Sequence, residues 1–497
     1  MKFFSDLWMG IKSVFKGPSS KDNLFSLDNR VPVRNAIPFG IQHVLAMFAA
    51  NIAPIIIVFN AMKFGEGDAH FATYSMLGAL FMAGLGTIIQ LLLGARLPVV
   101  IGTAFTFVPV FITVARNAPD AVTAYYTIMG SIIFGGLFAI VFSLFYRWWG
   151  KLIKPIVPAI VVLGVGLSLL ASGANSFFGG NEVIVSVINT GETGTRVPYF
   201  CYIIVALVTL ITCLLWSVFV KGVWKNINII VGIAVGYIVS CCIPGMINFG
   251  SMAVTEAVGS HGVVDFPHFI DITKLRFELV PCLLVSICFI ATIVEAIGNT
   301  TTVAKAGVGR DVTPREINGA LIAYGFNCSV GALFGALPQT TYAQNVGIVA
   351  QNKVVNRFTI FVGAMLLLVA SFFPPVANFI YSIPDAVIGG TMITLFGSIA
   401  VIGMRSISDI GWNDKNVLIT AISVCLGFGI TIATVTLNDT GVIALSTDLF
   451  KALNVEWLGD LLSNNVLNMF VISFILSWAL PESMHLSLFH RKDKKEG

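Results

Sequence analysis

Residues 279–304 read LVPCLLVSICFIATIVEAIGNTTTVA, an apolar run with one carboxylate, Glu295, well inside it. A transmembrane helix needs about 20 mostly apolar residues, and this run is longer than that. A carboxylate in mid-membrane costs roughly 2.5–3.5 kcal/mol on insertion scales, so such residues usually mark functional positions. The run therefore predicts a membrane protein with a polar site inside the membrane.

The composition of the whole chain agrees with this run. Of the 497 residues, 56% are hydrophobic and only 11% are Asp, Glu, Lys or Arg, whereas a soluble domain carries about 25% charged residues. This excludes a soluble protein and a single-anchor protein with a large soluble domain. The eight cysteines are scattered without a CxxC pair, and we interpret them as small core residues.

Apolar runs between polar breaks predict an all-α polytopic protein with fourteen transmembrane segments. The third and tenth are short and interrupted by Gly and Pro. The predicted segments lie near 37–62, 71–93, 99–115, 124–146, 155–173, 199–220, 226–249, 279–304, 317–335, 339–352, 357–381, 384–404, 416–436 and 465–481.

The distribution of basic residues is a test of this count. With both termini in the cytoplasm, 23 of the 29 Lys and Arg residues fall in predicted cytoplasmic segments. An excess of basic residues on that side is the positive-inside rule, and one miscounted span inverts the second half and removes the excess. We expect a multi-pass protein of the cell membrane with both termini cytoplasmic.

Two pairs of similar segments indicate an internal repeat. GARLP at 94–98 precedes the third span and GALP at 335–338 precedes the tenth, while PAIV at 158–161 resembles PDAV at 384–387. Each partner lies seven spans later, and an odd repeat length inverts the second copy. Inverted repeats with broken segments near the substrate are typical of secondary transporters. The alternative is that Gly and Pro here only allow close helix packing.

Polar side chains inside the predicted spans are the candidate site residues. On a helix, Glu295 and Asn299 share a face. In a functional role, Glu295 binds substrate N–H groups, the coupling proton or both. In a structural role, it pairs with a basic residue to brace the helices. No Lys or Arg lies in the middle of a predicted span, which favours the functional role. His43, beside Gln42, either orients Glu295 and relays protons or is a packed histidine bonded to a backbone carbonyl.

The broken third and tenth spans supply further candidates. Residues 338–347 read PQTTYAQNVG, where the amide of Gln344 can both donate to and accept from a heterocycle. We interpret Asn345 as a structural residue that bonds backbone. Ala104 aligns with Gln344 in the repeat, and the ring of the following Phe105 can stack on a planar base.

Several motifs are absent from the sequence. It has no phosphate-binding loop of the GxxxxGK[ST] type, no HExxH, no zinc-type Cys/His cluster and no nucleophile elbow. We therefore expect no enzymatic activity, no catalytic residue, no metal and no cofactor. Topology accounts for the basic residues, so no nucleic-acid partner is expected.

Taken together, these residues resemble the nucleobase–ascorbate transporter family, also called nucleobase:cation symporter family two. The likeness rests on Gln42-His43, on Glu295 and on QNVG at 344–347, and it extends over about 35–482 through stretches at 310–325 and 384–397. In the family motif that begins at Gln344, Asn352 replaces the usual Thr, whereas Lys353 fits.

The resemblance implies a seven-plus-seven inverted repeat that is divided into two domains. Spans 1–4 and 8–11, at 35–147 and 279–382, are expected to form a core domain. Spans 5–7 and 12–14, at 148–278 and 383–482, are expected to form a gate domain, with cytoplasmic tails at 1–34 and 483–497. Several members are homodimers.

The resemblance also implies roles for the site residues. Glu295 matches the carboxylate that binds the base, and Gln344 matches the second binding residue, which is usually Gln in xanthine and urate carriers and Glu in uracil carriers. Phe105 matches an aromatic that flanks the base, with Tyr342 and Ala343 as its neighbours. Asn299 departs from the family, which has Asp there in purine carriers and His in uracil carriers.

The sequence thus predicts a transporter that imports a purine nucleobase of the xanthine or urate type. Symport with a cation, H⁺ rather than Na⁺, and an elevator-like motion of core against gate are expected. The expected partners are the nucleobase, the lipid bilayer and a second copy of the chain. The alternatives are a uracil permease of the same family, an anion transporter of the same seven-plus-seven fold, and a channel or non-transporting sensor.

Overall fold

The computed structural model describes most of the chain. The described residues are 11, 14–15, 19–62, 69–190, 197–221, 225, 227–247, 264–381, 383–437, 441–444, 449–450, 453, 458–459 and 462–481. The predicted tail at 483–497 lies outside them, as do parts of the polar outer segments, at 191–196 and 250–263.

Helices dominate the described chain. In order, those of at least eight residues are α1 (Val33–Met62), α2 (Ala69–Leu92), α3 (Val108–Asn117), α4 (Ala121–Leu144), α5 (Ile156–Ser168), α6 (Leu170–Phe177), α7 (Gly180–Thr190), α8 (Tyr199–Phe219), α9 (Asn228–Cys241), α10 (Leu279–Thr302), α11 (Pro314–Leu333), α12 (Ala343–Asn352), α13 (Arg357–Ala370), α14 (Pro374–Tyr381), α15 (Asp385–Ile410), α16 (Asp414–Ile432) and α17 (Asn465–Ala479). A π-helix, Val303–Val308, extends α10.

These helices agree with the prediction of a polytopic, mainly helical membrane protein. Within the described ranges, eight helices are long and apolar enough to cross a membrane, and four shorter ones are also apolar. Many exposed side chains on α4 and α8 are large and apolar, including Leu137, Val141, Ile211 and Val218, as expected for surfaces that face lipid. The count of fourteen crossings stays a prediction.

The chain also contains strands, which the all-α prediction did not include. β1 (Ile101–Thr103) pairs antiparallel with β2 (Gln339–Thr341), with Ile101 opposite Thr341 and Thr103 opposite Gln339. A second pair, β3 (Thr434–Leu437) and β4 (Gly441–Ala444), lies after α16. In β1 and β2, the extended backbone satisfies across the pair the hydrogen bonds that a helix satisfies within itself.

Buried amides fix the β1–β2 pair in place. Asn51 of α1 accepts from the backbone N–H of Thr103 at 2.8 Å and from its hydroxyl at 3.0 Å. On the other strand, Gln339 accepts from Asn327 at 3.0 Å and donates to the carbonyl of Ala79 at 2.7 Å. Three helices therefore hold the two strands, and the segments that follow the strands start from fixed positions.

The helices form two groups by their contacts. In one group, α4 packs on α10 and α11, and α13 packs on α1 and α2. In the other, α15 packs on α5, α6, α8 and α9, and α17 packs on α5 and α16. The β1–β2 pair belongs to the first group, because it contacts α1, α2, α10 and α11.

The segment at 19–31 is bound to the first group by the turn before α13. The side-chain amide of Asn356 donates to the backbone carbonyls of Asn23 at 2.9 Å and Asn29 at 3.0 Å, and its nitrogen lies farther, at 3.2 and 3.4 Å, from those of Ser26 and Asp28. Its oxygen caps α13 by accepting from the N–H of Phe358 at 3.0 Å. One side chain therefore joins the segment to the helix.

Replacing Asn356 with Ala should destabilise the protein more than removal of a simple cap. An N-cap contributes about 1 kcal/mol, and each further hydrogen bond adds about 1 kcal/mol. We expect Asn356→Ala to lower the melting temperature of the detergent-solubilised protein by several degrees. Asn413→Ala is the matched control, because Asn413 caps α16 through the N–H of Asn416 and binds no such segment. Equal shifts for the two variants would contradict the prediction.

Candidate functional site

A small cavity lies where the two broken segments meet α10 and the second helix group. Its wall contains all six residues that the sequence predicts to bind substrate: Ala104, Phe105, Glu295, Tyr342, Ala343 and Gln344. Four further residues complete it: Thr106, Val165, Thr340 and Ile399. Residues more than 200 positions apart in the sequence therefore line one space.

Glu295 supplies the only carboxylate of this wall. It is 8% exposed on α10, in a stretch where Ala291, Val294 and Ala296 are buried around it. Within the described part of the chain, no lysine or arginine forms an ion pair with it. The alternative in which Glu295 braces the helices through a basic partner therefore has no support among these residues.

The segment from β2 into α12 contributes an amide and an aromatic ring. The Nε2 atom of Gln344 is buried and has no hydrogen-bond partner among the described residues. The hydroxyl of Tyr342 donates to the backbone carbonyl of Thr103 at 2.8 Å. The backbone N–H of Tyr342 donates to the backbone carbonyl of Val100 at 3.0 Å. The ring of Tyr342 is thus fixed by β1, while the amide of Gln344 is available to a ligand.

The segment from β1 into α3 forms the facing part of the wall. Ala104 precedes a 3₁₀ turn, Phe105–Phe107, which leads directly into α3. The Phe105 ring meets Phe396 of α15 edge to face, with centroids 5.3 Å apart. Because Phe105 and Phe396 belong to different helix groups, this contact spans the boundary between the groups.

Two helical segments begin at residues of the cavity wall. Neither Ala104 before the 3₁₀ turn nor Tyr342 before α12 provides a side-chain cap. The first N–H groups of a helix have no partner within the helix, so they bind caps, water or ligands. Together with Glu295 and Gln344, they give the cavity both donors and acceptors.

The other predicted site residues lie behind the wall and support it. The side chain of Asn345 donates to the backbone carbonyl of His43 at 3.0 Å and lies 3.1 Å from its Nδ1 atom. Asn299 donates to the carbonyl of Thr341 at 2.8 Å. Gln42 accepts from Asn352 at 3.2 Å. These bonds join α1 and α10 to β2 and α12.

Sequence reasoning missed four residues of the wall. Thr340 could have been predicted, because alternation along β2 places it on the same face as Tyr342. Thr106 could have been predicted because it adjoins Phe105. Val165 of α5 and Ile399 of α15 carry no sequence signal, since apolar residues of this kind occur throughout the chain. Only the packing of the two helix groups brings them to the cavity.

The cavity is narrow in this conformation. Its volume is about 20 Å³, which is close to the space that one water molecule needs. A planar heterocycle therefore requires the wall to open. Val165 and Ile399 are the part of the wall that belongs to the second helix group.

Within the described ranges, no three His, Cys, Asp or Glu side chains lie close enough together to hold a metal ion. The groups that line the cavity can form hydrogen bonds to a small polar ligand.

Sequence comparisons relate the chain to permeases. The profile of the permease family Xan_ur_permease matches residues 34–436. The xanthine permease of Bacillus subtilis is 30% identical over 404 residues, which cover 80% of this chain and 85% of that protein. The xanthine permease XanQ of Escherichia coli is 29% identical over 423 residues, covering 83% and 87%.

Solved structures agree on the fold. The transmembrane domain of the cyanobacterial bicarbonate transporter BicA matches with a TM-score of 0.50 at 17% identity, over 78% of this chain and 94% of that one. The murine anion transporter Slc26a9 matches with a TM-score of 0.55 at 12% identity, over 86% and 71%. At such identities the likeness concerns the fold alone. The family match over most of its length shows that this multi-pass membrane chain belongs to the Xan_ur_permease family, the nucleobase–ascorbate transporters.

Proposed function

We propose that the protein is a secondary transporter that imports a purine nucleobase of the xanthine or urate type together with a cation, H⁺ rather than Na⁺. One observation carries the proposal. The Glu295 carboxylate and the unpartnered Nε2 atom of Gln344 line the same cavity, beside two uncapped helical beginnings.

These groups complement the edges of an oxidised purine. The carboxylate of Glu295 accepts from ring N–H groups, which charged acceptors bind more strongly than neutral ones do. The amide of Gln344 donates to a ring nitrogen or an oxo group. The names of the relatives, both xanthine permeases, support a purine as the ligand.

Proton coupling is proposed because Glu295 is the carboxylate of the wall. A proton on its carboxylate removes a charge that is expensive to keep in the membrane. Glu295 is therefore protonated, in this proposal, while it moves from one side of the membrane to the other. Its place in the wall lets the same group sense both proton and substrate.

Contacts between helices support the seven-plus-seven inverted repeat. In such a repeat, each predicted span is equivalent to the span seven places away in the sequence. Under this equivalence the α4–α11 contact corresponds to the α13–α2 contact, and the α4–α10 contact corresponds to the α13–α1 contact. In the same way, the α8–α9 contact corresponds to the α16–α17 contact, and the α9–α15 contact corresponds to the α17–α5 contact. When Pro98 is aligned with Pro338, Ile101 and Thr341 occupy equivalent positions in the two repeats. These two residues lie opposite each other in the β1–β2 pair. This is the pairing that a two-fold axis through the strands produces.

The two helix groups support the division into core, at 35–147 and 279–382, and gate, at 148–278 and 383–482. We propose that the core carries Glu295, Gln344 and the β1–β2 pair past the gate, in an elevator-like motion. Separation at Val165 and Ile399 admits the base. Fourteen crossings, cytoplasmic tails at both ends and a homodimer complete the proposal.

Transport by the purified full chain in proteoliposomes tests the function. We expect accumulation of labelled xanthine or urate that an inward H⁺ gradient drives, that a protonophore abolishes and that a Na⁺ gradient does not replace. Uptake of uracil in place of purines would point to the uracil permease, and uptake of bicarbonate or chloride to the anion transporter. Purine flux that needs no ion gradient would indicate a channel, and no uptake at all a sensor.

A further inference from the structure

Two hydroxyl groups in the wall of the cavity have no role in the proposed function so far. The Oγ1 atoms of Thr106 and Thr340 are buried and unpartnered among the described residues. Their side chains are 1% and 3% exposed, and both line the cavity with Glu295 and Gln344. A buried polar group without a partner costs about 1–3 kcal/mol, so each such group needs an explanation.

The backbone around these two threonines explains why their hydroxyls are free. Several helical threonines of this protein donate to a carbonyl of their own helix, for example Thr209 to Val205 at 2.8 Å and Thr300 to Ala296 at 2.7 Å. Such a bond requires a preceding helical turn. Thr340 lies in β2 and Thr106 in the 3₁₀ turn directly after β1, so neither has that turn before it.

Their position in the cavity distinguishes them from other unpartnered hydroxyls. Thr359, Thr394 and Thr420 also lack partners among the described residues, but none of these three lines the cavity. Thr106 and Thr340 come from the two different broken segments, and each lies within four residues of a predicted binding residue, Phe105 or Gln344. The two hydroxyls can therefore reach different edges of one ligand.

From this arrangement, and resting on the proposed function, we infer that Thr106 and Thr340 determine specificity by hydrogen-bonding the rim of the base. Glu295 accepts hydrogen bonds from the ring N–H groups of the base, and Gln344 donates to one acceptor of the base. The two hydroxyls donate to further acceptors, which are oxo groups or unprotonated ring nitrogens. The site thereby favours a heterocycle with polar atoms on several edges, such as a dioxopurine, over a base with fewer oxo groups.

The selectivity follows from the cost of leaving a hydroxyl unpaired. A site built to hydrogen-bond a substrate group rejects the analogue that lacks it, because the protein group then stays buried without a partner. Valine has nearly the shape of threonine without the hydroxyl, so Thr→Val removes both the bond and the penalty. Binding of the full ligand should weaken, while binding of the analogue that lacks the matching oxo group should not.

Competition of labelled xanthine uptake tests this inference in the reconstituted full chain. For at least one of Thr106→Val and Thr340→Val, we expect xanthine to bind about 5-fold more weakly, with hypoxanthine, which lacks one oxo group, changed less than 2-fold. Thr→Ser at the same position keeps the hydroxyl and should restore the ratio of the two affinities. Thr300→Val is the control, because its hydroxyl is satisfied by its own helix away from the cavity.

The outcomes separate this inference from the proposed function. If wild-type protein transports xanthine and Glu295→Gln does not, yet both Thr→Val variants keep the wild-type ratio of xanthine to hypoxanthine affinity, the inference is wrong and the function stands. If wild-type protein binds no purine, both fall. A Thr→Val variant that fails to fold shows it by its melting temperature, and Thr→Ala at the same position, which also lacks the hydroxyl, then carries the test.

Discussion

Glu295→Gln should abolish the accumulation of purine without unfolding the protein. The carboxylate offers only acceptors to the cavity, whereas the glutamine amide presents N–H donors toward the ring N–H groups of the base. A hydrogen bond to a charged group contributes about 1.5–3 kcal/mol, and 1.4 kcal/mol corresponds to a tenfold change in affinity. We expect binding to weaken roughly 10- to 100-fold, and coupling to the proton to be lost in addition.

The measurement is labelled xanthine uptake with an imposed H⁺ gradient, together with equilibrium binding in detergent. Glu278→Gln is the matched control, because Glu278 precedes the same helix, α10, and is exposed outside the cavity. The melting temperature of Glu295→Gln should equal or exceed that of the wild type, since the substitution removes a buried charge. Wild-type binding and accumulation by Glu295→Gln would remove Glu295 from the proposed mechanism.

Gly389→Ala should prevent the formation of stable protein. Gly389 of α15 packs against the backbone of α6, where an added Cβ atom would lie closer than 3.0 Å to Phe177 N and Ser176 C. Backbone atoms of a packed helix cannot turn aside as a side chain can. Overpacking of a core costs about 1–3 kcal/mol and sometimes more, and the α6–α15 contact is part of the second helix group.

Gly397→Ala in the same helix is the matched control. Nothing lies within 4 Å of a Cβ atom added at Gly397, and alanine favours a helix over glycine by up to about 1 kcal/mol. We expect Gly397→Ala to give a monodisperse peak in size-exclusion chromatography with an unchanged or higher melting temperature. For Gly389→Ala we expect little or no such peak. A normal peak and melting temperature for Gly389→Ala would show that α6 can move away from α15.

The site could be predicted from the sequence as far as single residues carry a chemical signal. Glu295 stands out because a carboxylate inside an apolar run is rare, and Gln344 because it lies in an amide-rich broken segment. His43 and Asn345 were candidates on the same grounds, yet they bond to each other behind the wall. The sequence shows that a side chain is polar and intramembrane, but not which way it points.

By itself, the sequence determined the membrane class, the helix positions and the family, because apolar runs, basic loops and short motifs are local properties of the chain. Only the tertiary structure decided the β1–β2 pairing, the hydroxyls left free at Thr106 and Thr340, and the closure of the wall by Val165 and Ile399. Each of these depends on segments distant in sequence meeting in space, and apolar residues give no local sign of which partner they meet.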